Sequence, residues 1–136
     1  MTISKRSEKS LQTLIKELDE VFSIWVRKKY ADSNGYLNCF ITGVRLHWKQ
    51  ADAAHYIRRE KMATRWHEWN VHPSSIDSNR FDPEHERMYG EKMIEVFGIE
   101  QVTELHNLSH SLAKWTRPEL EEKIEYFRSE NRLKTK

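Results

Sequence analysis

The sequence predicts an α+β domain: an N-terminal helix, a small β-hairpin with a ββα core, and helices towards the C-terminal end. Three observations carry this expectation. Residues 11–30 set Leu11, Leu14, Ile15, Leu18, Phe22 and Trp25 at the i, i+3, i+4, i+7 spacing of an amphipathic helix. Residues 36–73 instead hold short apolar runs, with Asn34-Gly35 and Thr42-Gly43 as turn chemistry. Beyond Pro83 the helical period returns.

A chain of 136 residues has the length of a single domain, and its five Trp, five Tyr and five Phe are enough for one core. It holds no run of about 18 apolar residues, which argues against a membrane partner, and MTISKRSEKS lacks the apolar centre of a signal peptide. One cysteine forbids an internal disulfide. Together these predict a cytoplasmic protein. The net charge of +2 is too small to argue for nucleic-acid binding by the whole chain. Its distribution says more, because Arg45, Lys49, Arg58, Arg59, Lys61 and Arg65 crowd the middle while residues 77–104 are acidic.

In order, residues 1–9 are expected to form a loose basic arm and 10–31 the first helix, stopped by Asp32-Ser33-Asn34-Gly35. The core is assigned to 36–97. Tyr36–Ile41 and Val44–Trp48 read as short strands, with Cys39 as a small buried hydrophobe. Asp52–Ile57 is expected as the first strand of the ββα unit, which puts Ala53 and His55 on one face and Asp52 and Ala54 on the other. Asn70–Pro73 is expected as the second strand. Ser74, Ser75 and Ser78 then offer capping oxygens to a helix whose first turns hold Asn79. Asp82-Pro83-Glu84 opens a further helix that Gly98 closes. The C-terminal helices cover 99–133: Ile99–Trp115 with Val102, Leu105, Leu108 and Leu112, then a last helix opened by the capping box Thr116-Arg117-Pro118-Glu119.

The chemistry-bearing residues cluster between 52 and 79. His55, Asn70 and Asn79 follow one another as H…N…N, an order that suggests a ββα-metal (HNH) nuclease site. Hydrolysing a phosphodiester needs a base for water, a cation for the developing charge, and a group that holds the base. Imidazole, with an unperturbed pKa of about 6.5, suits the first role. An oxygen-bound Mg²⁺ or Mn²⁺ suits the second. A neutral Asn can be ligand or brace. Between the strands, Arg58, Arg59, Lys61 and Arg65 alternate with Trp66 and Trp69, a mixture able to contact phosphates and bases, although the tryptophans read more readily as core.

A broader set of residues sharpens this reading. Asp32-Ser33-Asn34-Gly35-Tyr36, Cys39, Thr42-Gly43, His47-Trp48, Asp52-Ala53-Ala54-His55-Tyr56, Arg58, Ala63-Thr64-Arg65, Asn70-Val71-His72-Pro73 and Asn79-Arg80-Phe81 occur in one order, continued by Tyr89, Phe97-Gly98 and Leu105. The chain thereby resembles the phage NinG (Rap) recombination endonuclease family over roughly residues 10–133. The resemblance implies a metal-dependent DNA endonuclease acting on branched or nicked recombination intermediates in a bacterial host's cytoplasm. The implied roles are His55 as base, Asn70 as its holder and Asn79 as metal ligand. Asp52, reaching in through a local bulge, and His85 are further candidate ligands, with His72 behind them. Arg58 and Arg65 would clamp the backbone, flanked by Arg59 and Lys61. A homodimer is a possible state.

The family pattern also carries four zinc-binding cysteines as two C-x-x-C pairs, and here the sequence departs from it. Cys39 keeps the first position, but Thr42, Ser75 and Ser78 stand at the other three. One thiol with three hydroxyls is a poor zinc set, so no structural zinc is expected. The departure also leaves an alternative open, a binding module for DNA or a host protein that keeps the fold and has lost cleavage.

Overall fold

The computed structural model describes residues 8–134. The basic arm expected over 1–9 lies almost wholly outside the described residues. The fold is α+β. Helix α1 runs Leu11–Lys29, begun by Ser10, whose hydroxyl accepts the Thr13 N–H at 3.0 Å, and ended by the basic turn Arg27, Lys28, Lys29. Strands β1 (Tyr36–Asn38) and β2 (Arg45–His47) pair antiparallel, and a 3₁₀ turn over Trp48–Gln50 leads into β3 (Ala51–His55). Strand β4 (Val71–Ser75) pairs antiparallel with β3, Ala51 opposite Ser75 and His55 opposite Val71. A π-helical turn over Asp77–Phe81 precedes α2 (His85–Phe97), α3 (Ile99–Ser109) and α4 (Arg117–Lys134).

The β3–β4 ribbon divides two packed layers. On one side Ala53 and Val71 meet α1 and α4 through Leu14, Leu18, Phe22, Leu120, Ile124 and Phe127. On the other, Ala54 meets Tyr89, Met93, Val102 and Leu105 of α2 and α3. The period-2 alternation of β3 therefore serves both layers, and its small alanines let helices approach from either side. Tyr89, 1% exposed, fixes α2 to the strand by donating its hydroxyl to the Ala54 carbonyl at 2.7 Å.

Several elements differ from expectation. The strands of the first hairpin are three residues each, because the chain leaves the ladder at Cys39 to make a tight turn in which the Gly43 N–H bonds the Cys39 carbonyl. Helix α3 stops at Ser109, well short of Trp115, and Leu112 is 95% exposed instead of buried. The Ser109 and Ser111 hydroxyls fold back onto the carbonyls of His106 and Leu108, competing with further helix. The capping box forms as expected, with the Thr116 N–H on the Glu119 carboxylate at 2.8 Å and the Glu119 N–H on the Thr116 hydroxyl at 3.3 Å. Pro73 sits inside β4 opposite Ala53, and its carbonyl accepts the Phe40 N–H at 2.8 Å on the side away from β3.

Candidate functional site

His55 ends β3 on the α1 face, its ring half-buried. Its Nε2 lies 2.9 Å from the Arg65 carbonyl. A carbonyl only accepts, so the proton resides on Nε2 and the Nδ1 lone pair is left open. Burial pushes the His55 pKa below its ordinary value, while the Arg65 carbonyl and the Asp19 carboxylate oppose that shift. The imidazole is therefore neutral at pH 7.

What holds Arg65 in place was not foreseen. Asp19, on α1, accepts from Arg65 Nε at 3.0 Å, from a second Arg65 nitrogen at 2.5 Å, and from Trp66 Nε1 at 2.9 Å. The Arg65 side chain is 11% exposed. It is a buried brace, not the backbone clamp that its charge suggested. Arg59 reaches the same carboxylate at 3.4 Å but is mostly exposed, as is Arg58. Lys61 is half-buried, and its carbonyl accepts from Thr64. Asp19 was legible as an acid beside the apolar stripe of α1, next to Leu18, although nothing in the sequence names its partners.

Asn70 is fully buried, and its amide is spent on the backbone. Oδ1 accepts the Ile57 N–H at 2.7 Å, and Nδ2 donates to the carbonyls of Ile57 at 2.9 Å and Thr64 at 3.0 Å. It closes the long β3–β4 connection and so sets where Arg65 presents its carbonyl. The expectation that Asn70 holds the His55 ring is corrected: that contact belongs to Arg65, because the amide has no donor left over.

The third residue sits elsewhere on the ribbon. Asn79 Nδ2 donates to Asp52 Oδ2 at 2.9 Å, and Arg80 takes both Asp52 oxygens at 2.8 Å. Both side chains belong to consecutive residues of the π turn. The β3–β4 register is regular, so Asp52 meets Asn79 without the bulge expected for it. Burial pushes the Asp52 pKa up, and the donors Arg80 and Asn79 with the Arg27 charge outweigh it, leaving the carboxyl below its ordinary value. Among the described residues no hydrogen bond links His55, Asn70 and Asn79 to one another. They form two stations on β3, the imidazole at Arg65 and the Asp52–Asn79 pair.

His85 and His72 belong to neither station. His85 Nδ1 is 3.4 Å from the Ser78 hydroxyl and its ring packs edge-on against Tyr89. His72 is 2% exposed, stacks on Phe40 at 4.1 Å and donates Nε2–H to the Trp69 carbonyl at 2.8 Å. Burial brings its pKa down to about 4, so it is a neutral core residue.

Where the two cysteine pairs of the resemblance would meet, the chain is closed by hydrogen bonds. Cys39 Sγ accepts the N–H groups of Thr42 at 3.4 Å and Ser75 at 3.3 Å and lies 3.7 Å from the Ser74 hydroxyl. The Ser75 hydroxyl accepts the Ser78 N–H at 3.2 Å. Burial pushes the thiol pKa up, yet these donors outweigh it and bring it down to about 7. Zinc does not fit this donor set, since the hydroxyls are poor ligands and are engaged with protein. Among the described residues no group of three or more His, Cys, Asp or Glu could hold a metal.

Compared with family models, residues 1–136 match the model described as Bacteriophage Lambda NinG protein. The chain belongs to the NinG family. Searches of curated proteins and of solved structures return no match. Within this NinG chain the family match covers both stations, the Cys39 turn and the helical layers. No helix among its described residues is long and apolar enough to cross a membrane.

Proposed function

We propose that this NinG-family chain is a metal-dependent endonuclease of the HNH type, acting on branched or nicked DNA of the kind formed in recombination. The observation that carries the reading is the His55–Arg65 contact. An imidazole whose Nε2–H is tied to a carbonyl, and which burial keeps neutral, presents Nδ1 as a base ready to take a proton from water. Asn70 supports this from behind by fixing the loop that carries the carbonyl.

The residues fit a divalent cation of the Mg²⁺ or Mn²⁺ type. Asp52 offers a carboxylate, and Asn79, bonded through Nδ2, has its amide oxygen available. Such an ion would neutralise charge on the phosphate. Arg80 is exposed, so it can leave Asp52 for a phosphate oxygen when substrate arrives. Asp52 and His55 share one strand but, three residues apart in a regular register, leave it on opposite faces, so the cation and the base would meet the substrate from different sides of the ribbon. The same Arg80–Asp52 pair favours the second reading, a DNA- or protein-binding module, if it never opens.

The test is cleavage of branched, single-stranded and linear duplex DNA with Mg²⁺ or Mn²⁺. His55→Ala is expected to lose on the order of 10² to 10⁴ in rate while keeping its fold. Asn79→Ala is expected to recover in part at high Mn²⁺, as a lost ligand would. A wild-type protein that cuts none of the substrates under either metal leaves the binding module standing.

A further inference from the structure

Basic side chains from three separate elements gather at a cleft of about 550 Å³, between the C-terminal end of α1, the hairpin and the end of α4. Lys28, Lys49 and Lys134 line it beside His47 and Trp48. Two of these lysines, Lys28 and Lys49, lie 5.1 and 5.9 Å from the Trp48 ring centroid, and Arg27, behind the lining, lies 5.2 Å from the same ring. Among the described residues the one acid lining the cleft is Asp32, which is committed to Arg45 at 2.8 Å and to the N–H groups of Asn34 and Tyr36. A ring quadrupole concentrates positive charge without neutralising it.

Gly35 and His47 pack against each other in the cleft wall. Gly35, at φ +87°, faces the His47 ring so closely that a Cβ there would lie 2.4 Å from Nε2. The cleft also adjoins the Asp52 station. The 3₁₀ turn that carries Trp48 and Lys49 runs directly into β3, and Arg27, over the Trp48 ring, donates to the Trp48 carbonyl at 3.4 Å.

We infer that this cleft is a second binding site, for the phosphodiester backbone of DNA, and that the strand runs from it to Asp52 and Asn79. This moves the main DNA interface away from the Arg58–Arg65 segment, where Arg65 is consumed by Asp19. The inference rests on the nuclease reading for the direction of the strand. The cleft's affinity for phosphates rests on its own charges.

The experiment is binding of a fluorescein-labelled single strand and duplex in EDTA, followed by anisotropy over a range of salt. Lys28→Gln and Lys49→Gln are each expected to weaken binding several-fold and to lower the slope of log K against log salt by about 0.9 on duplex or 0.7 on single strand per lost phosphate contact. Trp48→Leu, which removes the ring that gathers the cations, is expected to act like the two lysine changes together. Lys123→Gln, whose cation lies on Trp115 outside the cleft, is the control and is expected to bind as wild type. The proposal is overturned if the lysine variants bind as wild type, if the control weakens as much as they do, or if wild type binds neither DNA. Cleavage by wild type with unchanged binding by the variants would remove the cleft and keep the nuclease. Cleft-dependent binding without cleavage would do the reverse.

Discussion

Asp19 grips Arg65 through two parallel hydrogen bonds across 46 residues of sequence, and the Arg65 carbonyl in turn receives His55. An acid on the first helix thus sets the position of an imidazole on the third strand.

Asp19→Asn is expected to reduce stability by about 2 kcal/mol, since a largely buried guanidinium loses its charged partner. It should also lower the His55 pKa further, because the Asp19 charge raises that pKa in the native protein. NMR titration of the His55 ring reads this directly, and an upward shift would contradict the arrangement. If the protein cleaves DNA, the acid limb of its rate profile should move to lower pH in step.

Asn70→Ala and Asn70→Asp should both be strongly destabilising, by about 2–4 kcal/mol. Alanine strands the Ile57 N–H and two carbonyls in a fully buried place, and aspartate restores the acceptor but not the two donated hydrogen bonds. Denaturant midpoints at unchanged slope measure it. Wild-type stability in either variant would mean that the loop does not depend on this amide.

Acid should weaken the fold through His72. Its folded pKa of about 4 lies below the unfolded value of about 6.5, so its contribution is complete above pH 6.5 and is lost as pH falls towards 4. Two and a half units correspond to roughly 3 kcal/mol at most. His72→Phe keeps a ring against Phe40 and should flatten the fall in stability over that window, relative to wild type. Equal slopes in the two proteins would place the acid sensitivity elsewhere.

The Cys39 centre predicts a protein that purifies without stoichiometric zinc and whose Tm is indifferent to chelators; one tightly held zinc per chain would refute this. Because the thiol's folded pKa, about 7, lies below the ordinary thiol value of 9.0, its contribution to stability is full above pH 9 and is lost as pH falls through 7. Cys39→Ala should therefore remove a stability gain of up to roughly 2–3 kcal/mol between pH 7 and 9.

The helices and the ribbon were legible because their signals are local. Leu14, Leu18 and Phe22 repeat at helical spacing, Thr116 and Glu119 form a box within four residues, and Ala53 and Ala54 alternate between two layers. The site was legible as residue types and less so as partnerships. Asp19 with Arg65, Arg80 with Asp52 and Asn70 with Ile57 join segments apart in sequence: α1 with the β3–β4 connection, the π turn with β3, and the two ends of that connection with each other. Arg65 shows why charge alone misled: an arginine beside a candidate site looks like a phosphate contact until an acid from another helix is known to cover it. Leu112 misled in the opposite way, since its spacing was helical but two serines ended the helix before it.

Pro73 and Cys39 together seal the outer margin of β4. A strand with bare N–H and C=O groups invites pairing by any passing chain. Here Pro73 has no N–H to offer, its carbonyl is taken by Phe40, and the next outward N–H, that of Ser75, is absorbed by the Cys39 sulfur. A two-stranded ribbon this short would otherwise be open to accretion of further strands. Cys39, Phe40 and Pro73 thus leave β4 with its outward groups from 73 to 75 either absent or bonded.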